Sequence, residues 1–119
     1  MKEPTDEQVK ELWEWCGWRT VTNIWEKLER TGVGLNHADD LEDDIIVSPT
    51  DLGGYESYPN LDLNSLFLYA VPKVGYTEIK YAPKAPFVSV TILHENNEYY
   101  GLDKDPALAL FWAIYGAIK

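Results

Sequence analysis

The closing run from Pro106 to Ile118 carries no charged residue, and it constrains the fold more than any other stretch. Asp105 is placed to cap a helix there. Pro106 suits the first helical position, where its missing N–H would have no partner in any case. Leu108, Phe111, Trp112, Tyr115 and Ile118 recur at three- and four-residue intervals and predict one stripe of large side chains. Leu110 and Ile114, with the alanines, make the other side apolar as well. A helix that is apolar all round is buried or covered by a partner, and this one is too short for a bilayer, which needs about 20 apolar residues. It reads as a core helix lying on a sheet. Burying each large stripe residue is worth roughly 1.5–3 kcal/mol before conformational entropy is counted.

The rest of the chain supplies what that helix must cover. Thr5-Asp6-Glu7-Gln8 has the form of a capping box, with acids in the first turn. Val9, Leu12, Trp13 and Cys16 then share a face, and Gly17 can close the helix in the left-handed conformation. From Arg19 to Trp25 two readings compete: a short β-branched strand, or a helix capped by Asn23 that runs through Ile24, Trp25 and Leu28 to about Thr31-Gly32. We adopt the helix. Between Gly32 and Asn60 periodicity fails, and only Ile45-Ile46-Val47 has strand character. A loop of that length in a small domain is usually functional or mobile. Asp62 opens a central helix with Leu63, Leu66, Phe67 and Ala70 on one face, and Pro72 is expected to stop it. Residues 76–81 alternate as a half-exposed strand, and residues 82–86 form a stiff proline-bearing loop. Residues 87–93 make the clearest strand, with Val88, Val90 and Ile92 pointing one way. Asn96-Asn97 is expected to turn into a short third strand, Glu98-Tyr99-Tyr100-Gly101. The expectation is a single α+β domain over residues 1–119 with an irregular acidic insert at about 32–60. Its three-stranded antiparallel sheet is packed by N-terminal, central and C-terminal helices, a layered α/β sandwich.

Three stretches carry a resemblance: Cys16-Gly17-Trp18 after the first helix, Leu61-Asp62-Leu63-Asn64-Ser65-Leu66-Phe67-Leu68-Tyr69-Ala70-Val71-Pro72-Lys73, and Asp105-Pro106-Ala107-Leu108-Ala109-Leu110. Their order resembles the phage ABA sandwich domain family. The resemblance implies a small phage or prophage protein of layered α/β fold. It brings no catalytic residues with it.

Charge narrows the function. The 20 acids outnumber the 10 bases, for a formal net charge of −10, which argues against direct contact with nucleic acid or an anionic membrane. Cys16 is the sole cysteine, so no intrachain disulfide can form and a reducing compartment is expected. Met1-Lys2-Glu3-Pro4 is polar and carries no apolar run of signal-peptide type, so a cytoplasmic protein of the host cell is expected. His37-Ala38-Asp39-Asp40-Leu41-Glu42-Asp43-Asp44 gathers carboxylates without the spacing or glycine of a calcium loop. The two histidines, His37 and His94, and Cys16 lack zinc-ligand spacing. Neither a phosphate loop nor a nucleophile elbow is present. No cofactor, no metal and no catalytic residue is therefore expected, and the chain reads as non-enzymatic.

The candidate binding residues are the acids Asp39, Asp40, Glu42, Asp43 and Asp44, which would meet a basic surface on a host protein, one that itself grips nucleic acid. Trp15, Trp18, Tyr55 and Tyr58 would supply aromatic anchors beside them. Two alternatives come from other classes. One is sequestration of a nucleotide-like small molecule, using Arg19, Lys73, Lys80 and Lys84. The other is a structural or oligomerisation module of a phage particle, assembled through the terminal helix as a homo-oligomer.

Overall fold

Val88, Val90 and Ile92, spaced two residues apart, are all buried, and they mark the inner face of an antiparallel sheet. The computed structural model describes residues 3–31, 44–50, 53–82 and 87–119. These divide into two compact units: Met1–Leu12 with Pro59–Lys119, and Trp13–Tyr58. In chain order the elements are α1 (Asp6–Trp15), β1 (Arg19–Val21), α2 (Ile24–Thr31), β2 (Ile45–Val47), α3 (Leu63–Ser65), a π-helical segment (Leu66–Ala70), α4 (Val71–Val74), β3 (Tyr76–Ala82), β4 (Phe87–His94), β5 (Asn97–Asp103) and α5 (Pro106–Ile118). The fold is mixed α+β, with helices packed on a three-stranded antiparallel sheet.

In the first unit β4 is central, pairing β3 on one side and β5 on the other. The β4–β5 turn is two residues long, because His94 pairs directly with Asn97. Its centre is Glu95-Asn96, both at positive φ (52° and 68°), rather than the expected Asn96-Asn97, and β5 is correspondingly longer. That geometry suits the twist of a tight hairpin. α5 begins as the sequence predicts: Asp105 accepts a hydrogen bond from the Ala107 N–H at 2.8 Å, and Pro106 fills the first position. It lies over β5 and β4.

The face that α5 buries differs from the expected stripe. Ala109, Leu110, Phe111, Ala113 and Ile114 are fully buried, whereas Leu108, Trp112, Tyr115 and Ile118 are only partly so. The cause is a close backbone approach at Gly101. A Cβ built there would lie 1.9 Å from the Ala109 carbonyl oxygen and 2.8 Å from the Ala113 nitrogen. Only alanines on the helix facing a glycine on the strand permit that contact. α1 is tied to α5 within the same unit: Lys119 donates to Glu11 at 2.9 Å, and the Tyr115 hydroxyl reaches the same carboxylate at 3.4 Å. The first helix also has its capping box, with Gln8 N–H donating to Thr5 Oγ1 at 3.2 Å and Thr5 N–H to Gln8 Oε1 at 2.9 Å.

Pro72 does not end the central helix. Proline clashes with the carbonyl four residues back and has no N–H to give it. Here the backbone widens before it, so that Val71 N–H donates to Leu66 five residues away. This π turn makes room for the ring, and the helix continues to Val74. Gly75, at φ 96°, stops it instead.

In the second unit both readings of the 19–25 stretch prove correct in part. Arg19–Val21 is a strand, and Asn23 then caps a helix, its side chain accepting from the Trp25 and Glu26 N–H groups. β1 pairs antiparallel with β2. Tyr55 extends this ladder by exchanging two backbone hydrogen bonds with Ile46, at 2.8 and 3.0 Å.

Candidate functional site

Two surfaces hold the residues able to meet a partner, one in each unit. The second unit gathers three of the expected aromatic anchors. Trp18, Thr20 and Ile46 share a face of the small sheet by alternation and register, and Tyr55 adds to its edge. The Trp18 and Tyr55 rings meet edge to face with centroids 5.4 Å apart. The Tyr58 hydroxyl lies 3.3 Å from Thr20 Oγ1. Trp18, however, is only 3% exposed. It is a packing residue of this unit, and Tyr58 has spent its hydroxyl on Thr20. Trp15 is half-buried on α1.

Among the expected acids, Asp44 is exposed and stands 3.7 Å from the ammonium of Lys27, a buried lysine that sequence reasoning passed over. Asp39, Asp40, Glu42 and Asp43 lie outside the described residues, as do His37 and Lys84. Within residues 13–18, Trp13 and Trp18 are buried. The open tryptophan is Trp25 on α2, 64% exposed. Beside it Arg19 is ion-paired with Glu26. That bond holds the Glu26 carboxyl below its ordinary range and raises Arg19 further.

The second surface is the side of the larger sheet away from α5. Register places its residues in rows across the strands. Tyr76, Leu93 and Glu98 form one row, Glu78, Thr91 and Tyr100 the next, and Lys80, Ser89 and Leu102 a third. Tyr76 is 57% exposed and Tyr100 64%, and Phe87, Leu93 and Leu102 are exposed with them. Each tyrosine donates its hydroxyl to a carboxylate two residues away on its own strand: Tyr76 to Glu78 at 3.0 Å, and Tyr100 to Glu98. These bonds stabilise the neutral phenols, so both tyrosines titrate above their ordinary 10.0. Glu78 also receives Lys80 at 3.2 Å, and the lysine first, then Tyr76, keeps its carboxyl below the usual range. The rings are thereby held on rigid strands with their polar ends already satisfied, so the face offers flat apolar area with an oriented acidic fringe.

His94 sits at the end of this sheet, where β4 meets the turn to β5. Its Nδ1 is 3.2 Å from the Val74 carbonyl oxygen, which can only accept, so that nitrogen carries the proton. Among the described residues no group of three or more His, Cys, Asp or Glu side chains could hold a metal ion, and no helix is long and apolar enough to cross a membrane. No family model, no curated protein and no solved structure matches the chain.

The signal that could have found this surface was in the sequence. Tyr76-Thr77-Glu78-Ile79-Lys80 alternates a polar-aromatic set against a buried-type set. Glu98, Tyr100 and Leu102 do the same once β5 is extended.

Proposed function

We propose that this chain is a non-enzymatic binding module that docks a basic macromolecular partner, a host protein, through the open face of its three-stranded sheet. The observation that carries the reading is the contiguous exposure of Tyr76, Leu93, Tyr100 and Leu102 on strands fixed from behind by α5. Exposed apolar area of that kind marks interaction surfaces. Tyrosine is a favoured interface anchor, because it brings large area at small entropic cost. The net charge of −10 selects for a cationic partner and speeds its encounter at low salt. Asp44 and the acids at 39, 40, 42 and 43 belong to that negative charge. The phage or prophage setting rests on the sequence resemblance alone.

Nucleotide sequestration is less well supported. Two of the cations it would need, Arg19 and Lys80, are already ion-paired with Glu26 and Glu78.

The test is affinity capture from host lysate with quantitative identification of the bound proteins. A Tyr76→Ser, Tyr100→Ser double variant should lose the captured partner by about tenfold or more. Tyr55→Ser in the second unit should leave recovery unchanged. Equal recovery by the sheet-face variant would contradict the proposal.

A further inference from the structure

The two Tyr–Glu pairs of the open face differ in one respect. On β3 the pair is completed by the chain's own cation, with Lys80 3.2 Å from Glu78 Oε1 while Tyr76 donates to Oε2. On β5 the pair is Glu98 with Tyr100, and among the described residues no cation pairs with Glu98. Directly opposite it on β4 stands Leu93, exposed, in the same row. A carboxylate oriented by a phenol, beside a ring face and an aliphatic side chain, fits a guanidinium or ammonium group and the methylenes that carry it.

Resting on the reading of this face as the docking surface, we infer that Glu98, Tyr100 and Leu93 seat one cationic side chain of the basic partner, in the way that Glu78, oriented by Tyr76, holds Lys80. Charge complementarity favours this occupant over a second copy, since two faces each belonging to a chain of net charge −10 would bring carboxylates toward carboxylates.

The experiment is a two-dimensional NMR titration of the whole chain with an acetylated, amidated peptide of alternating leucine and arginine. The control is the same peptide with citrulline, which keeps the shape and removes the charge. The arginine peptide should shift the signals of Leu93, Glu98 and Tyr100, and the citrulline peptide should not. Glu98→Gln should weaken the arginine peptide by about tenfold. Glu3→Gln, which removes the same charge from an exposed position, should change affinity less than about twofold. Equal weakening by both variants would reduce the effect to general attraction and overturn the proposal, as would shifts confined to other residues or none at all. Concentration-dependent shifts of the same three residues without peptide would assign the face to a second copy and also overturn it. Repeating the lysate capture with Glu98→Gln separates the two claims. If the double tyrosine variant loses the partner and Glu98→Gln does not, docking on the face stands and the cation seat falls. If neither loses it, both fall.

Discussion

The small sheet of the second unit and the larger sheet of the first both present tyrosines beside aliphatic side chains, yet they use them for different ends. Around β1 and β2 the aromatic groups are spent on one another. Trp18 is buried against the edge of Tyr55, and Tyr58 shares its hydroxyl with Thr20. On the outer face of β3, β4 and β5 the tyrosines stand in solvent and bond only to carboxylates on their own strands. The first arrangement is what a small unit does to find enough core. The second leaves apolar area in solvent with no internal return, the pattern on which the proposed docking surface rests. Aromatic residues dense in sequence therefore marked packing, and those spaced by two along strands marked the surface.

The largest effects should separate packing from surface. Trp18→Ala and Phe111→Ala each empty a buried site and should cost about 3–5 kcal/mol in thermal or denaturant unfolding. Trp112→Ala, at a partly exposed position, should cost less than Phe111→Ala. A Trp18→Ala variant with unaltered melting would break the comparison, because Trp18 would then belong with the open tyrosines. Gly101→Ala should follow, at about 3 kcal/mol, since the new methyl meets the Ala109 carbonyl and neither backbone can yield without moving α5. Pairing it with Ala109→Gly, which leaves the carbonyl in place, should recover little.

On the open face the expectation reverses. Tyr76→Ser with Tyr100→Ser should change stability by no more than about 0.5 kcal/mol per site, as for ordinary exposed positions, while partner capture falls. A large loss of stability in that variant would mean that the face is covered within the chain.

The smallest effect is a titration. Tyr76 and Tyr100 are neutral when they donate to Glu78 and Glu98, and both titrate above 10.0 in the folded chain. Their contribution is fully present below the unfolded tyrosine value and is lost as pH rises through the folded values, in the alkaline range. Glu78 has the opposite sign. Its carboxyl is held below 4.5, so its contribution is present above that value and is lost as pH falls through the lower folded one. Glu98→Gln should return Tyr100 toward 10.0 in an ultraviolet tyrosinate titration and leave Tyr76 in place. Movement of both phenols together would show that the two pairs are not independent.

Much of the fold was legible because its signals are local. The capping box at Thr5 and Gln8, the Asp62 and Asp105 caps and the alternation in β4 each depend on neighbours within a few residues, and all are found. What was missed depended on distant partners. β1 is three residues long and exists through pairing with β2, some 25 residues later in the chain, so its β-branched residues competed with a nearby helix cap and both proved real. Where α5 comes nearest to β5, Gly101 on another element meets the backbone at Ala109 and Ala113, a contact that the spacing of large residues does not announce. Pro72 obeyed its usual chemistry, and the π turn before it absorbed the cost.

The site was less legible. Of the expected anchors Trp15, Trp18, Tyr55 and Tyr58, Trp18 packs against Tyr55 and is buried, because density of aromatic residues does not reveal which of them face solvent. Tyr76 and Tyr100 were overlooked because the outer face of a strand reads as plain solvent exposure until register lines it up with its neighbours.

The most direct test is photocrosslinking in living cells that express the chain. A photoreactive phenylalanine analogue is placed at the position of Tyr100, of Tyr76, or of Tyr55, one per variant. Adducts to the same partner are expected from the first two positions and none from the third. Adducts from the Tyr55 position alone, or from none of the three, would contradict the assignment of the open sheet face as the binding surface.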